Sequence, residues 1–278
     1  MSRRNDQAAS PARLLLSTRW IFGHLLALSL VVAFIFFGFW QLDRLEQTRA
    51  ENAVRVSREA QEPLVIGGDA DTSELLLAAE AGQELDLRRA TATGVFEPED
   101  ELLLRSRSLN GQPGWHVLTP LALADGSRLL VDRGWVPYDH DTVPVTGAPP
   151  PEGTVTVTGV LRSTERPPEG AGASFAPRNP AGTDYLAATW YVDLERLAAS
   201  QLPGLLQGAW LLLEEVQPAQ AGELPVPGTL PEMDEGPHFG YALQWFSFAA
   251  VGIIGYAFLM RKVLRDHARQ PEPPLQSS

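Results

Sequence analysis

The sequence predicts a membrane protein: two transmembrane α-helices flank an extracytoplasmic β-rich α+β domain, built as a small antiparallel barrel or sandwich. Three observations carry this. Two runs, Trp20 to Leu42 and Phe239 to Met260, hold no fixed charge. Each reaches the roughly 20 residues that a helix rising about 1.5 Å per residue needs to cross a ~30 Å hydrocarbon layer. Positive charge gathers beyond both runs: Arg3, Arg4, Arg13 and Arg19 precede the first, and Arg261, Lys262, Arg265 and Arg269 follow the second. The chain between them is strongly acidic, in a total net charge of −12, and breaks into short alternating stretches bounded by turn residues.

Taken in order, residues 1–19 are a cytoplasmic tail and 20–42 the first transmembrane helix. Residues 43–237 form the extracytoplasmic domain, 238–260 the second transmembrane helix and 261–278 a second cytoplasmic tail. Flanking Lys and Arg stay cytoplasmic, so both termini are assigned there. The first run exceeds the about 7–15 apolar residues of a signal peptide. It leads into Gly38-Phe39-Trp40-Gln41-Leu42-Asp43-Arg44 rather than a small-residue cleavage site, so it reads as an uncleaved anchor. The Arg-containing leader is short for a mitochondrial transit peptide, which favours a bacterial plasma membrane.

Residues 42–60 are charged and helix-compatible, and continue the first helix. Residues 60–83 carry little signal. Strands are predicted over 85–95, 102–107, 115–123, 127–136, 154–161, 189–192 and 209–216. Asn110-Gly111 and Asp125-Gly126 supply tight turns. A short helix is predicted over 194–201, with Asp193 as N-cap and Pro203-Gly204 as its stop. Pro-rich stretches at 144–151 and 218–231 read as loops and a linker, and 165–184 as a long irregular loop.

Composition excludes several functions. The acidic middle lacks the basic footprint of nucleic-acid binding. With no Cys there are no disulfides, thiol redox chemistry, Fe–S ligation or thiolate copper sites, and Met at only 1, 233 and 260 rules out a Met-rich copper relay. No HExxH, GxSxG, GxGxxG or Walker pattern is present, so no enzyme is predicted.

The densest group of chemistry-bearing residues lies where the end of the first span meets the start of the second. The first contributes Gly38, Trp40, Gln41 and Arg44; the second opens on Gly236-Pro237-His238-Phe239-Gly240-Tyr241 and continues to Gln244-Trp245. Helical periodicity puts 238, 241, 245, 248, 252 and 255 or 256 on one face. An imidazole above aromatic rings and glycines can hold a flat apolar ligand and bind its metal, and Arg44 can meet carboxylates at the water boundary. The same residues also fit plain interface anchoring and close helix packing. His24, some 20 Å away by helical rise, reads as a packing or interface residue. A second cluster joins Leu104-Arg105-Ser106-Arg107, Gly114-Trp115-His116 and Val131-Asp132-Arg133-Gly134-Trp135. It reads either as a partner surface anchored by Arg133 and Trp135 or as a hairpin with a core Trp and surface charges. His116 and His140 read as structural or exposed.

Six segments, in order, resemble the surfeit locus protein 1 family, the membrane assembly factors of haem-copper cytochrome oxidase. They are residues 38–44, Gly114-Trp115-His116-Val117-Leu118-Thr119-Pro120, Val131-Asp132-Arg133-Gly134-Trp135-Val136-Pro137, residues 175–180, Trp190-Tyr191-Val192-Asp193-Leu194, and His238-Phe239-Gly240-Tyr241-Ala242-Leu243-Gln244-Trp245. Gly236-Pro237 departs from the polar Asn that often precedes the family histidine. The resemblance implies a role in maturing oxidase subunit I, with haem a as a transient cofactor. His238 is then the ligand to the haem iron, and Tyr241, Trp245, Trp40, Gln41 and Arg44 line the site. Implied partners are subunit I, the haem a synthesis enzyme and the lipid bilayer. The alternative is a membrane-tethered scaffold that stabilises oxidase subunits without binding haem.

Overall fold

The computed structural model describes residues 15–67, 85–166, 187–230 and 233–269. The loop expected after Glu165 and the segment at 175–180 fall outside these residues, as does most of 60–83. The chain divides into two compact units, Met1–Ala53 with Met233–Ser278, and Val54–Glu232.

In the first unit α1 (Thr18–Glu59) packs antiparallel to a helix over His238–Ala268. The contacts run in opposite directions along the two: Gln41 meets His238, Phe34 lies 5.7 Å from Trp245 between ring centroids, and His24 bonds Tyr256. At position 38 a Cβ would sit 2.6 Å from the Phe246 ring, so glycine is what admits that ring. In the second helix Ala242 and Ala249 are the buried residues, and together with His238, Trp245, Gly252 and Tyr256 they follow the alternating three- and four-residue step of a packing stripe. The face expected from sequence therefore needs correcting. Positions 241, 248 and 255 stand about 60° round the helix from that stripe: Tyr241 is exposed and Gly255 faces open space, while Phe248 lies beside the contact, 5.8 Å from Phe34 between ring centroids. Both helices are long and apolar enough to cross a membrane, and little of either apolar window is buried within the structure.

The second unit is built on β1 (Leu64–Ile66), β2 (Arg89–Phe96), β3 (Leu102–Leu109), β4 (Gln112–Leu123), β5 (Arg128–Pro137), β6 (Thr154–Arg162), β7 (Ala188–Thr189) and β8 (Trp210–Gln217), with α2 (Leu194–Ser200) before β8. The final long helix, His238–Ala268, is α3. Strands β2, β6, β8, β5 and β4 follow one another in the sheet, and a β2–β4 pairing closes them into a small barrel. β3 and β7 extend the sheet beyond β4. Of the expected barrel or sandwich, the barrel is found. It is not wholly antiparallel: β8 enters after α2 and lies parallel to β5, β1 is parallel to β2, and β7 to β3. β1 escaped sequence detection because three residues are too few for an alternation to register.

The alternation of β6 puts Val155 and Val157 inside, with Leu121, Leu129, Val131 and Leu211 in the barrel core. On the outer face Thr156 and Thr158 pair with Thr93 and Thr91 of β2, a cross-strand match of the kind that fixes register. β5 is buried almost without a break because it is covered twice: Val131 faces the barrel core, and Leu130 packs with Leu194 and Leu197 of α2. Asp193 caps α2 by accepting from Arg196 N, as its sequence position indicates.

Candidate functional site

The site is built where α1 and α3 meet at His238. α1 presents Gln41, Leu45, Arg49 and Asn52 at spacings of four, four and three, which is one stripe of a helix. The segment before α3 lies along that stripe. Asn52 Nδ2 donates to the Asp234 carbonyl at 3.4 Å, and Arg49 makes a two-pronged pair with Glu235 at 2.9 and 2.8 Å. Gly236 N donates to Asp234 Oδ1 at 3.0 Å, and His238 Nδ1 bonds Gln41 Oε1 at 2.9 Å. Hydrogen bonding to Arg49, then its charge, holds the Glu235 carboxyl below the ordinary carboxylate range, and Glu235 in turn raises Arg49. Leu45 is buried in the middle of the stripe.

Around His238 the rings sort into two flanks. With about 100° per residue on an antiparallel pair, Phe37, Trp40 and Arg44 of α1 and Tyr241 and Phe248 of α3 fall on the same side. That flank is open: Phe37 is 41 % exposed, Trp40 44 %, Phe248 43 % and Tyr241 48 %. Trp245 packs inward instead, its centroid 5.2 Å from Phe37 and 5.7 Å from Phe34. Arg44 lies over Trp40, 5.8 Å from its centroid, and donates to Gln47 at 2.9 Å. The structure thus joins His238 to Gln41 directly, sets Trp40, Arg44 and Tyr241 on one flank, and gives Trp245 a packing role. His24 is held between Tyr256 and the Leu15 carbonyl. Among the described residues no group of three or more His, Asp or Glu is placed to hold a metal ion.

Asp132, Arg133 and Trp135 of the second cluster are interior, which corrects the reading of Arg133 and Trp135 as partner anchors and of Arg133 as a surface charge. Trp135 is the core Trp of the alternative, while Arg105, Arg107, Trp115 and His116 are half-buried and Ser106 is exposed. Arg133 is 1 % exposed and Trp135 6 %. The register shifts between Val117 and Leu118, opposite 132–134, so Arg133 is the extra residue of a β-bulge and turns inward. It donates to Glu101 Oε1 and to the Ala148 carbonyl, both at 2.7 Å, and lies over the Phe96 ring. Burial pushes its guanidinium below the ordinary arginine range, and Glu101 opposes the shift. Glu101 also accepts from Thr119 Oγ1 and from Val145 N. Asp132 takes the other side, accepting from Gly134 N and bonding His116 Nδ1 at 2.7 Å. Gly134, at φ +121°, lies so close under the Val226 carbonyl that no Cβ fits. Trp135 exchanges two backbone bonds with Val226. Arg133 and Trp135 tie the β4–β5 hairpin to the loop at Ala148 and the segment at Val226 from inside.

The family model described as the SURF1 family matches residues 28–250. A SURF1-like protein of Mycobacterium bovis is 33 % identical over 263 residues, which is 89 % of this chain and 89 % of its own length.

The chain belongs to the SURF1 family.

More distant SURF1-like relatives match a similar share of this chain. That of Monosiga brevicollis is 27 % identical over 89 % of this chain and 91 % of its own, and that of Caenorhabditis elegans 26 % over 88 % and 76 %. The match takes in both halves of the His238 site and the buried Arg133 motif. The residues that sequence reading missed are Arg49, Asn52, Asp234, Glu235 and Glu101. Arg49 and Asn52 carried a signal, since they continue the Gln41 stripe of α1. Their partners lie about the length of a domain away in sequence and had none.

Proposed function

We propose that this SURF1-family chain is an assembly factor for haem-copper cytochrome c oxidase that holds haem a at His238 and presents it to subunit I. The observation that carries the reading is the imidazole of His238, anchored through Nδ1 to Gln41 beside an open aromatic flank. The residues fit the cargo. One imidazole can ligate iron, Trp40 and Tyr241 offer ring faces to a flat apolar molecule, and Arg44 offers a cation to carboxylates. Ligation by one protein group leaves the cargo easier to surrender to a site with more ligands. No bond in the haem is made or broken, so the role is that of a carrier and not of an enzyme. The haem a synthesis enzyme is the expected donor.

The same reading places α1 and α3 across a bacterial plasma membrane. Phe22, Leu26, Val251 and Phe258 are each more than half exposed on the helices, a surface that water does not favour and lipid does. The excess of Lys and Arg beyond both apolar runs supports termini in the cytoplasm and a barrel outside. The scaffold alternative drew on Arg133 and Trp135, and both side chains are interior.

The test is an optical spectrum of protein purified in mild detergent from cells that make haem a, beside His238→Ala. Haem a bound near one per chain and lost in the variant is expected. Equal loading of the two, with oxidase still maturing, would sink the assignment of His238.

A further inference from the structure

We infer that Gln41 is a positioning residue that holds His238 in its Nδ1–H tautomer, and that Gly236 keeps the opposite ring edge uncovered, so that Nε2 is the atom offered to iron. The inference rests on the reading of His238 as a ligand and adds which atom binds and what presents it. Nδ1 lies 2.9 Å from Gln41 Oε1. An amide oxygen only accepts, so the proton of the bond belongs to Nδ1. A neutral imidazole carries one N–H, and Nε2 therefore holds a lone pair. This is the arrangement in which ligating histidines are found: the far nitrogen donates to a fixed oxygen, which sets ring orientation and basicity.

The free edge is shaped by Gly236. Its φ is +68°, which an L side chain rarely adopts, and a Cβ there would sit 3.1 Å from Cδ2 and 3.3 Å from Nε2 of His238. Any other residue crowds the atom that has to approach a metal. The position of Gly236 is in turn set by the stripe on α1: Arg49 holds Glu235, Asn52 holds the Asp234 carbonyl, and Asp234 Oδ1 accepts from Gly236 N. One helix therefore supplies the ligand while the other fixes its tautomer and anchors the segment that leaves it open.

Full-length protein with nitrogen-15 histidine, in detergent, tests this by long-range proton–nitrogen NMR, with His238→Ala assigning the signal. The expected wild-type pattern is a protonated Nδ1 and an unprotonated Nε2. Gln41→Leu releases the tautomer; Gln41→Glu, which keeps an acceptor, retains it. Titration with ferric protoporphyrin, followed by the histidine-ligation band, then reads access to Nε2. Gln41→Leu is expected to weaken binding by about 10–100-fold, the usual cost of losing such a partner, with recovery in Gln41→Glu. Gly236→Ala is expected to weaken binding while leaving the tautomer unchanged. A wild-type His238 protonated at Nε2, or a Gln41→Leu variant with tautomer and affinity unchanged, overturns the role of Gln41. Unchanged affinity in Gly236→Ala overturns that of Gly236. If wild type binds no porphyrin yet shows the Nδ1–H form lost in Gln41→Leu, the tautomer assignment stands and the carrier reading falls.

Discussion

Arg133 and Glu101 form an ion pair with both side chains buried. Arg beside Trp suggests a surface anchor, but a bulge turns the guanidinium into the interior against Glu101. Removing one partner of a buried pair leaves the other charge uncompensated, at a cost of about 3–5 kcal/mol. Arg133→Met is expected to destabilise the protein by that amount in denaturant unfolding followed by tryptophan fluorescence. Arg133→Met combined with Glu101→Gln is expected to cost less, because no buried charge remains. If the double variant is the less stable of the two, the charge is not what the pair satisfies.

At the scale of elements, α1 and α3 are joined by small residues as much as by aromatic ones. Gly38 makes room for Phe246, and Gly252 stands 3.6 Å from Val31 measured from the Cβ it lacks. Overpacking such a contact costs about 1–3 kcal/mol, and in lipid close packing replaces the hydrophobic drive between helices. Because the chain has no Cys, Val31→Cys with Gly252→Cys gives a crosslink free of background. Adding Gly38→Leu is expected to lower the oxidative crosslink yield, and adding Phe246→Ala to restore it. A yield indifferent to Gly38→Leu would place the helix contact elsewhere.

At the scale of the molecule, the two units divide the work. The helix pair carries the candidate site at His238, and the barrel carries an interior ion network that presents no surface chemistry at Arg133. If the barrel lies outside the membrane and the termini inside, Asp139→Cys reacts with an impermeant thiol reagent in spheroplasts. Ser277→Cys then reacts only after the membrane is opened. The reverse pattern inverts the topology.

The two apolar helices, the run of strands and the α2 cap at Asp193 were legible in the chain alone. Each of these is written in neighbouring residues, as a charge-free run, an alternation or a capping side chain. The remaining features arise from packing. The closure of β2 on β4, the inward turn of Arg133 onto Glu101 and the bond between His238 and Gln41 join residues far apart in the chain, the last pair by 197 positions. A hydrogen bond of that span leaves no periodicity for sequence to show, since its partners become neighbours only when the helices pack.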